Sequence, residues 1–207
     1  MKILQLLQLL YVLVLLSSCN SQNSNESIAK KDKKIVNKTN QESDDPFNNI
    51  GDFVTAIDCQ IKATKEEIKT FGDEVIPWIS IDKTENEIAR LIEPEKIVIE
   101  QTEITLIIDY PLNNPARFIL KSPKNGFSKK YLIQLISKKY HEIYELEERS
   151  AKNKTIPLEK REGLINRNQT DGKYGIWGHD LSDLDLSSIE VYKSKEGKIS
   201  ILLIVES

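Results

Sequence analysis

Tyr174-Gly175-Ile176-Trp177-Gly178-His179-Asp180-Leu181 is the densest run of chemically capable side chains in this sequence. A histidine followed by an aspartate offers a proton donor and acceptor near neutral pH, a metal-binding nitrogen and a carboxylate. On an extended strand, neighbouring side chains point to opposite faces, so His179 and Asp180 share a site only where the chain turns. The glycines at 175 and 178 favour such unusual torsions. The run admits two readings. In the structural one, Trp177 packs over the core and Asp180 caps a short turn through Leu181 and Leu184. In the functional one, Trp177 and His179 form a binding surface, and His179 and Asp180 act together with a carboxylate from elsewhere.

The other histidine lies in Tyr140-His141-Glu142-Ile143-Tyr144-Glu145. This segment resembles the start of the zinc-protease helix motif, but Glu145 stands where the second histidine belongs. On a helix, His141 and Glu145 lie about 140° and 180° from Ile136, on the side away from the apolar stripe. A metal set of His141, Glu145, His179 and Asp183 would require the following loop to fold across that face, and no metal is assigned. Asp180, Asp183 and Asp185 supply oxygen ligands without the glycine and terminal glutamate of a calcium loop. Asn166 to Gly172 reads as turn chemistry, with Asp171-Gly172 favouring a tight reversal. The Gly-x-Ser-x-Gly elbow, the phosphate loop and Cys-x-x-Cys do not occur, so no cofactor is expected.

These residues must be positioned by regular elements. Thr64-Lys65-Glu66-Glu67 has the capping-box pattern and predicts a short helix stopping at Gly72. Thr84-Glu85-Asn86-Glu87 repeats the pattern, with Ile88, Leu91 and Ile92 on one face before Pro94. Trp78, between the two, reads as a core anchor. Extended runs at 96–100, 104–110 and 116–121 predict an antiparallel meander. Ser128 then opens a long helix to about Arg149, with Phe127 and Leu132 spaced as a hydrophobic staple. Leu132, Leu135, Ile136, Tyr140, Ile143 and Tyr144 recur at three- and four-residue steps, a stripe suited to lying on a sheet. Residues 151–173 are polar and read as a long loop. Strands at 188–193 and 198–205 close the chain, the last apolar enough to be central.

The fold class expected from this order is α+β: an antiparallel sheet of about five strands packed on one long helix, in the order short helices-β-β-β-α-β-β. The domain would span residues 51–207. Cys59 reads as a small buried hydrophobe.

The N-terminus adds a location. Lys2 leads an apolar run to Leu16, and Leu16-Ser17-Ser18-Cys19 follows directly. The arrangement resembles a bacterial lipoprotein (type II) signal peptide, with residues 1–18 removed and Cys19 becoming the mature N-terminus. The apolar stretch is interrupted by Gln5 and Gln8 and is shorter than the roughly 20 residues of a spanning helix. The resemblance implies a diacylglycerol thioether on Cys19 and an acylated amine, the fatty chains holding the protein on a bilayer. It also removes Cys19 from disulfide chemistry, leaving Cys59 without an intramolecular partner.

Residues 20–49 are polar and read as a flexible tether, with 19–50 taken as the lipidated linker. Lys30, Lys31, Lys33, Lys34 and Lys38 precede Glu42, Asp44 and Asp45, a solvated charge run. Removing Lys2 from 29 basic residues leaves 28 against 32 acidic ones, a mature charge of −4. That mild acidity excludes a nucleic-acid partner. Together these features predict a lipid-anchored protein of the bacterial cell envelope, facing the periplasm or the cell surface, that binds an unidentified protein or small molecule. The alternative is an envelope hydrolase or metal-dependent enzyme using His179 and Asp180 with the carboxylates of residues 142–147.

Overall fold

The computed structural model describes residues 47, 49–123, 125–163 and 166–207. The segments expected as a signal peptide, a lipidated Cys19 and a tether lie, up to residue 46, outside the described residues. The architecture is a mixed α/β one, with a mostly antiparallel multi-strand sheet and three α-helices among the described residues. No helix among the described residues is long and apolar enough to cross a membrane.

Five strands run side by side in the order β1-β9-β10-β6-β7, and β4 pairs with the start of β9. They are β1 (Asp52–Asp58), β4 (Ile79–Ser80), β6 (Glu103–Ile108), β7 (Ala116–Lys121), β9 (Asp185–Lys193) and β10 (Ile199–Glu206). Two small ladders lie apart: β2 (Ile61–Lys62) with β3 (Val75–Ile76), and β5 (Ile97–Ile99) with β8 (Phe127–Ser128). β10 is central, as its run of apolar residues predicts. Its pairing with β6 is parallel, through Ser200 opposite Thr105 and Ile201 opposite Leu106. A wholly antiparallel sheet was expected. The long helix and β9 intervene between β6 and β10, and a connection of that length permits a parallel neighbour.

The first helix, α1 (Lys65–Phe71), is built as the sequence predicts. Thr64 Oγ1 accepts the Glu67 N–H at 3.2 Å, and Glu67 Oε2 accepts the Thr64 N–H at 2.5 Å. Gly72 ends it in the left-handed conformation, its N–H donating to Ile68 O. The second box does not form. α2 covers only Thr84–Glu87 and continues as a 3-10 turn, Ile88–Arg90. Thr84 is already inside the helix, its hydroxyl donating to Ser80 O at 2.7 Å and Ile81 O at 3.1 Å. Glu87 instead accepts the Ser80 N–H at 2.9 Å.

The expected meander is also revised, because β5 leaves the sheet. It pairs with β8 at the entrance to α3 (Lys129–Ser150). Lys96 O accepts the Lys129 N–H at 3.0 Å and Pro94 O accepts the Lys130 N–H at 2.9 Å. With Ser128 Oγ accepting from Tyr131 N, three otherwise orphaned first-turn donors are satisfied, two of them by carbonyls just before β5. Phe127 and Leu132, the staple pair, are both fully buried. The buried residues of α3, Leu132, Ile133, Ile136, Tyr140 and Ile143, belong to one core with Ile104, Leu106, Ile189 and Ile201 of the strands.

Candidate functional site

The stripe of α3 continues past Ile143 into a carboxylate. Glu147 is 0 % exposed, four residues on from Ile143, at a position where a helix facing a core normally carries an apolar side chain. Its partners come from the returning loop. Oε1 accepts the Thr170 hydroxyl at 2.6 Å and the Gly172 N–H at 2.8 Å, and Oε2 accepts the N–H groups of Tyr174 at 2.7 Å and Gly175 at 3.2 Å. Burial pushes the carboxyl pKa up, but the hydrogen bonds from Thr170, Tyr174, Gly172 and Gly175 more than offset it, and the net direction is down. A Cβ at Gly172 would sit 2.7 Å from the Glu147 side chain, so the close approach requires glycine there.

Glu147 thereby fixes the backbone that enters the aromatic run. Gly175 and Gly178 both have positive φ, 63° and 71°, as their placement predicts. Between them Trp177 donates its N–H to Pro111 O at 3.2 Å. The Trp177 ring does not pack over the core. It is 37 % exposed and meets Tyr110 edge-on, with ring centroids 5.3 Å apart at 84°. His179 closes a three-ring cluster, 5.5 Å from Tyr110 and 5.8 Å from Trp177.

Two helix tyrosines support that cluster from below. Tyr140 donates its hydroxyl to Tyr110 O at 2.9 Å, and Tyr144, one turn later, donates to His179 O at 3.0 Å. Burial pushes both phenol pKa values up, so both remain donors. The rings at the surface are therefore held by hydrogen bonds to their own backbone carbonyls. A fixed aromatic surface of this kind loses little entropy when something lands on it.

Asp180 is occupied elsewhere. Both carboxylate oxygens are taken by Arg161, at 2.6 and 2.9 Å, and the Arg167 Nε lies 3.7 Å away. Its backbone N–H donates to Asp183 Oδ2 at 2.9 Å, opening the 3-10 turn Leu181–Asp183. Arg167, 5 % exposed, also donates to the Thr155 hydroxyl and lies over the Tyr144 ring. Residues 151–173, expected as a long loop, are thus fastened at several points. Asp171 Oδ1 accepts the N–H groups of Lys152 and Asn153 at 2.9 and 2.7 Å, stitching the loop to the exit of α3.

The structure brings Trp177 and His179 together and sets the remaining candidates apart from them. Glu145 is exposed on α3, and neither a hydrogen bond nor an ion pair joins it to His179 or Asp180. His141 lies 3.7 Å from Asp82. Among the described residues, no three or more His, Cys, Asp or Glu side chains are grouped to hold a metal ion. Trp78, expected as a core anchor, is half-buried against the core and lines a cleft of about 400 Å³ with Asp185 and Glu206. Sequence reasoning missed Tyr110, and it reached Glu147 only as one of the 142–147 carboxylates, not as the buried residue that fixes the loop. Tyr110 ends an extended run before Pro111 and carried no motif, while a glutamate late in a polar helix reads as solvated. No family model, no curated protein and no solved structure matches the chain. The site is therefore defined by its geometry alone.

Proposed function

We propose that this chain is a lipid-anchored binding protein of the bacterial cell envelope, tethered through Cys19 and facing the periplasm or cell surface. Its contact surface is the cluster of Tyr110, Trp177 and His179. The observation that carries the binding role is the support of a cluster of three partly open rings, with Tyr140 and Tyr144 of α3 holding the backbone of Tyr110 and His179 and the Pro111 carbonyl holding that of Trp177. Aromatic side chains held in this way contribute large contact area at low entropic cost, and tryptophan and tyrosine dominate binding hot spots. The anchor is supported by the resemblance of residues 1–19 to a lipoprotein signal. In this reading α3 is the platform of the domain, with the strands packed along its apolar stripe and the aromatic loop fastened at its C-terminal end.

A photo-crosslinking side chain at position 177, expressed in intact cells, tests the contact surface, with position 71 as a control that is also exposed. The expected result is a discrete adduct from 177 that disappears when Tyr110 and His179 are both replaced by alanine. Equal labelling from 71 and 177, or adducts indifferent to the double replacement, would remove this surface from the proposed function.

A further inference from the structure

The outer face of the sheet carries a second constellation, away from the aromatic cluster. The register places Ile119 opposite Thr105 and Thr105 opposite Ser200, one row crossing β7, β6 and β10. Side chains two apart on a strand share a face, so Arg117 on β7 and Lys198, just before β10, project to the same side as this row. A cleft of about 660 Å³ opens over it, lined by Thr105, Arg117, Ile119, Lys198 and Ser200, with Ser194 and Glu196 at its rim.

The Thr105, Arg117, Lys198 and Ser200 side chains of this cleft make no hydrogen bond to a described residue, although Lys198 lies near enough to Glu196 to help hold its carboxyl pKa down. Arg90, Arg161 and Arg167 each lie within ion-pair distance of an acidic side chain, whereas the Arg117 side chain makes no hydrogen bond or ion pair with any described residue. Ser200 is 6 % exposed and its hydroxyl bonds to no described residue, yet no buried side-chain nitrogen or oxygen among the described residues lacks a partner. The Ser200 hydroxyl therefore opens into the cleft. The one acid at the rim, Glu196, accepts the Ser194 hydroxyl at 2.8 Å. Two cations thus face one carboxylate that is already hydrogen-bonded.

We propose that this cleft binds a phosphate group, with Arg117 and Lys198 supplying charge and the Thr105 and Ser200 hydroxyls supplying further hydrogen bonds. A guanidinium fork, an ammonium and two hydroxyls exceed what the two oxygens of a carboxylate can use and suit the several acceptor oxygens of a phosphate. The cleft volume falls within the range of small-molecule sites, roughly 300–1,000 Å³. The phosphate comes either from a soluble ligand or from a lipid headgroup, and these differ in being monoester-like or diester.

The test is titration of the full chain with inorganic phosphate, dimethyl phosphate and acetate, followed by amide chemical shifts in NMR. The expected result is saturable shifts at Thr105, Arg117 and Ser200 with phosphate and little response to acetate. Arg117→Ala should weaken binding about tenfold, the loss of a charge-assisted hydrogen-bond pair. Glu196→Gln should tighten it by removing a like charge. A response to inorganic phosphate alone supports a soluble phosphate ligand, and a comparable response to dimethyl phosphate supports a lipid headgroup. Shifts that do not saturate, that match those of acetate, or that survive Arg117→Ala unchanged would overturn the proposal.

Discussion

Glu147 and Tyr174 are joined by a 2.7 Å hydrogen bond from the loop amide to the helix carboxylate, and this contact sets where the aromatic run begins. Three amides and one hydroxyl converge on that one carboxylate. Replacing it by alanine strands those donors, three of them on residues that are themselves buried, Thr170, Tyr174 and Gly175. An unmade buried hydrogen bond costs about 1–3 kcal/mol, so Glu147→Ala should lose about 3 kcal/mol or more in urea unfolding. Amide exchange at Tyr174 and Gly175 should rise with it.

The same group gives the domain a pH dependence of known sign. Folding lowers the Glu147 pKa from its ordinary 4.5 through the Thr170, Tyr174, Gly172 and Gly175 hydrogen bonds, which outweigh burial. The folded state therefore binds this proton less readily than the unfolded state, and the stabilisation is fully present above the unfolded value. It is lost as pH falls below that value and through the folded one. Unfolding midpoints measured from pH 6 downward should fall less steeply in Glu147→Gln than in the wild type.

Trp177→Ala should separate binding from stability. Half-open rings in edge contact contribute about 0.5–1.5 kcal/mol per pair beyond their burial, well short of the cost of emptying a core tryptophan site. Thermal unfolding should show a modest loss of about 1–2 kcal/mol. Crosslinking or binding through the cluster should be abolished. A loss comparable to a core deletion would mean that the ring is structural after all.

Asp180 is expected to behave as a structural residue of the loop. Its removal leaves the Arg161 and Arg167 side chains, both almost wholly covered, without their carboxylate. Breaking a buried pair costs about 3–5 kcal/mol, and the partial exposure of Asp180 reduces this to about 2–3 kcal/mol. Asp180→Ala should therefore lower stability by that amount in denaturant titration, whereas His179→Ala, which loses only ring contacts with Tyr110 and Trp177, should cost less, about 1 kcal/mol.

Cys59 should be inert in the folded chain. Burial, opposed by Lys129 and aided by Asp58, pushes its thiol pKa up to about 12, so almost no thiolate forms at neutral pH. Iodoacetamide should label it only after denaturation, and labelling under native conditions would show that β1 opens.

What was legible in the sequence had a local cause. The caps at Thr64 and Ser128, the stop at Gly72 and the apolar run of β10 depend on neighbours within a few positions or on burial of both faces. What was not legible depended on distant partners. β1 carries five exposed residues in succession, so it shows no alternation and becomes a strand only because β9 is there to pair with it. Thr84-x-x-Glu87 matches a capping box, but Ser80 and Ile81 offer carbonyls that draw the threonine hydroxyl away from the helix end. At the site, the glycines and Trp177-x-His179 were visible as a string. The carboxylate that fixes them and the tyrosines beneath them lie about 30 residues or more away on α3, and Tyr110 lies farther still. Spacing along the chain carries no trace of such contacts.

The anchor is the central claim, and mass spectrometry of the N-terminal peptide from protein expressed in an envelope-bearing bacterium tests it most directly. The account predicts a mature chain beginning at Cys19 and carrying diacylglycerol and acyl mass, with Cys19→Ala yielding neither cleavage after Ser18 nor acylation. A chain that retains residues 1–18, or that begins at an unmodified Cys19, would contradict it.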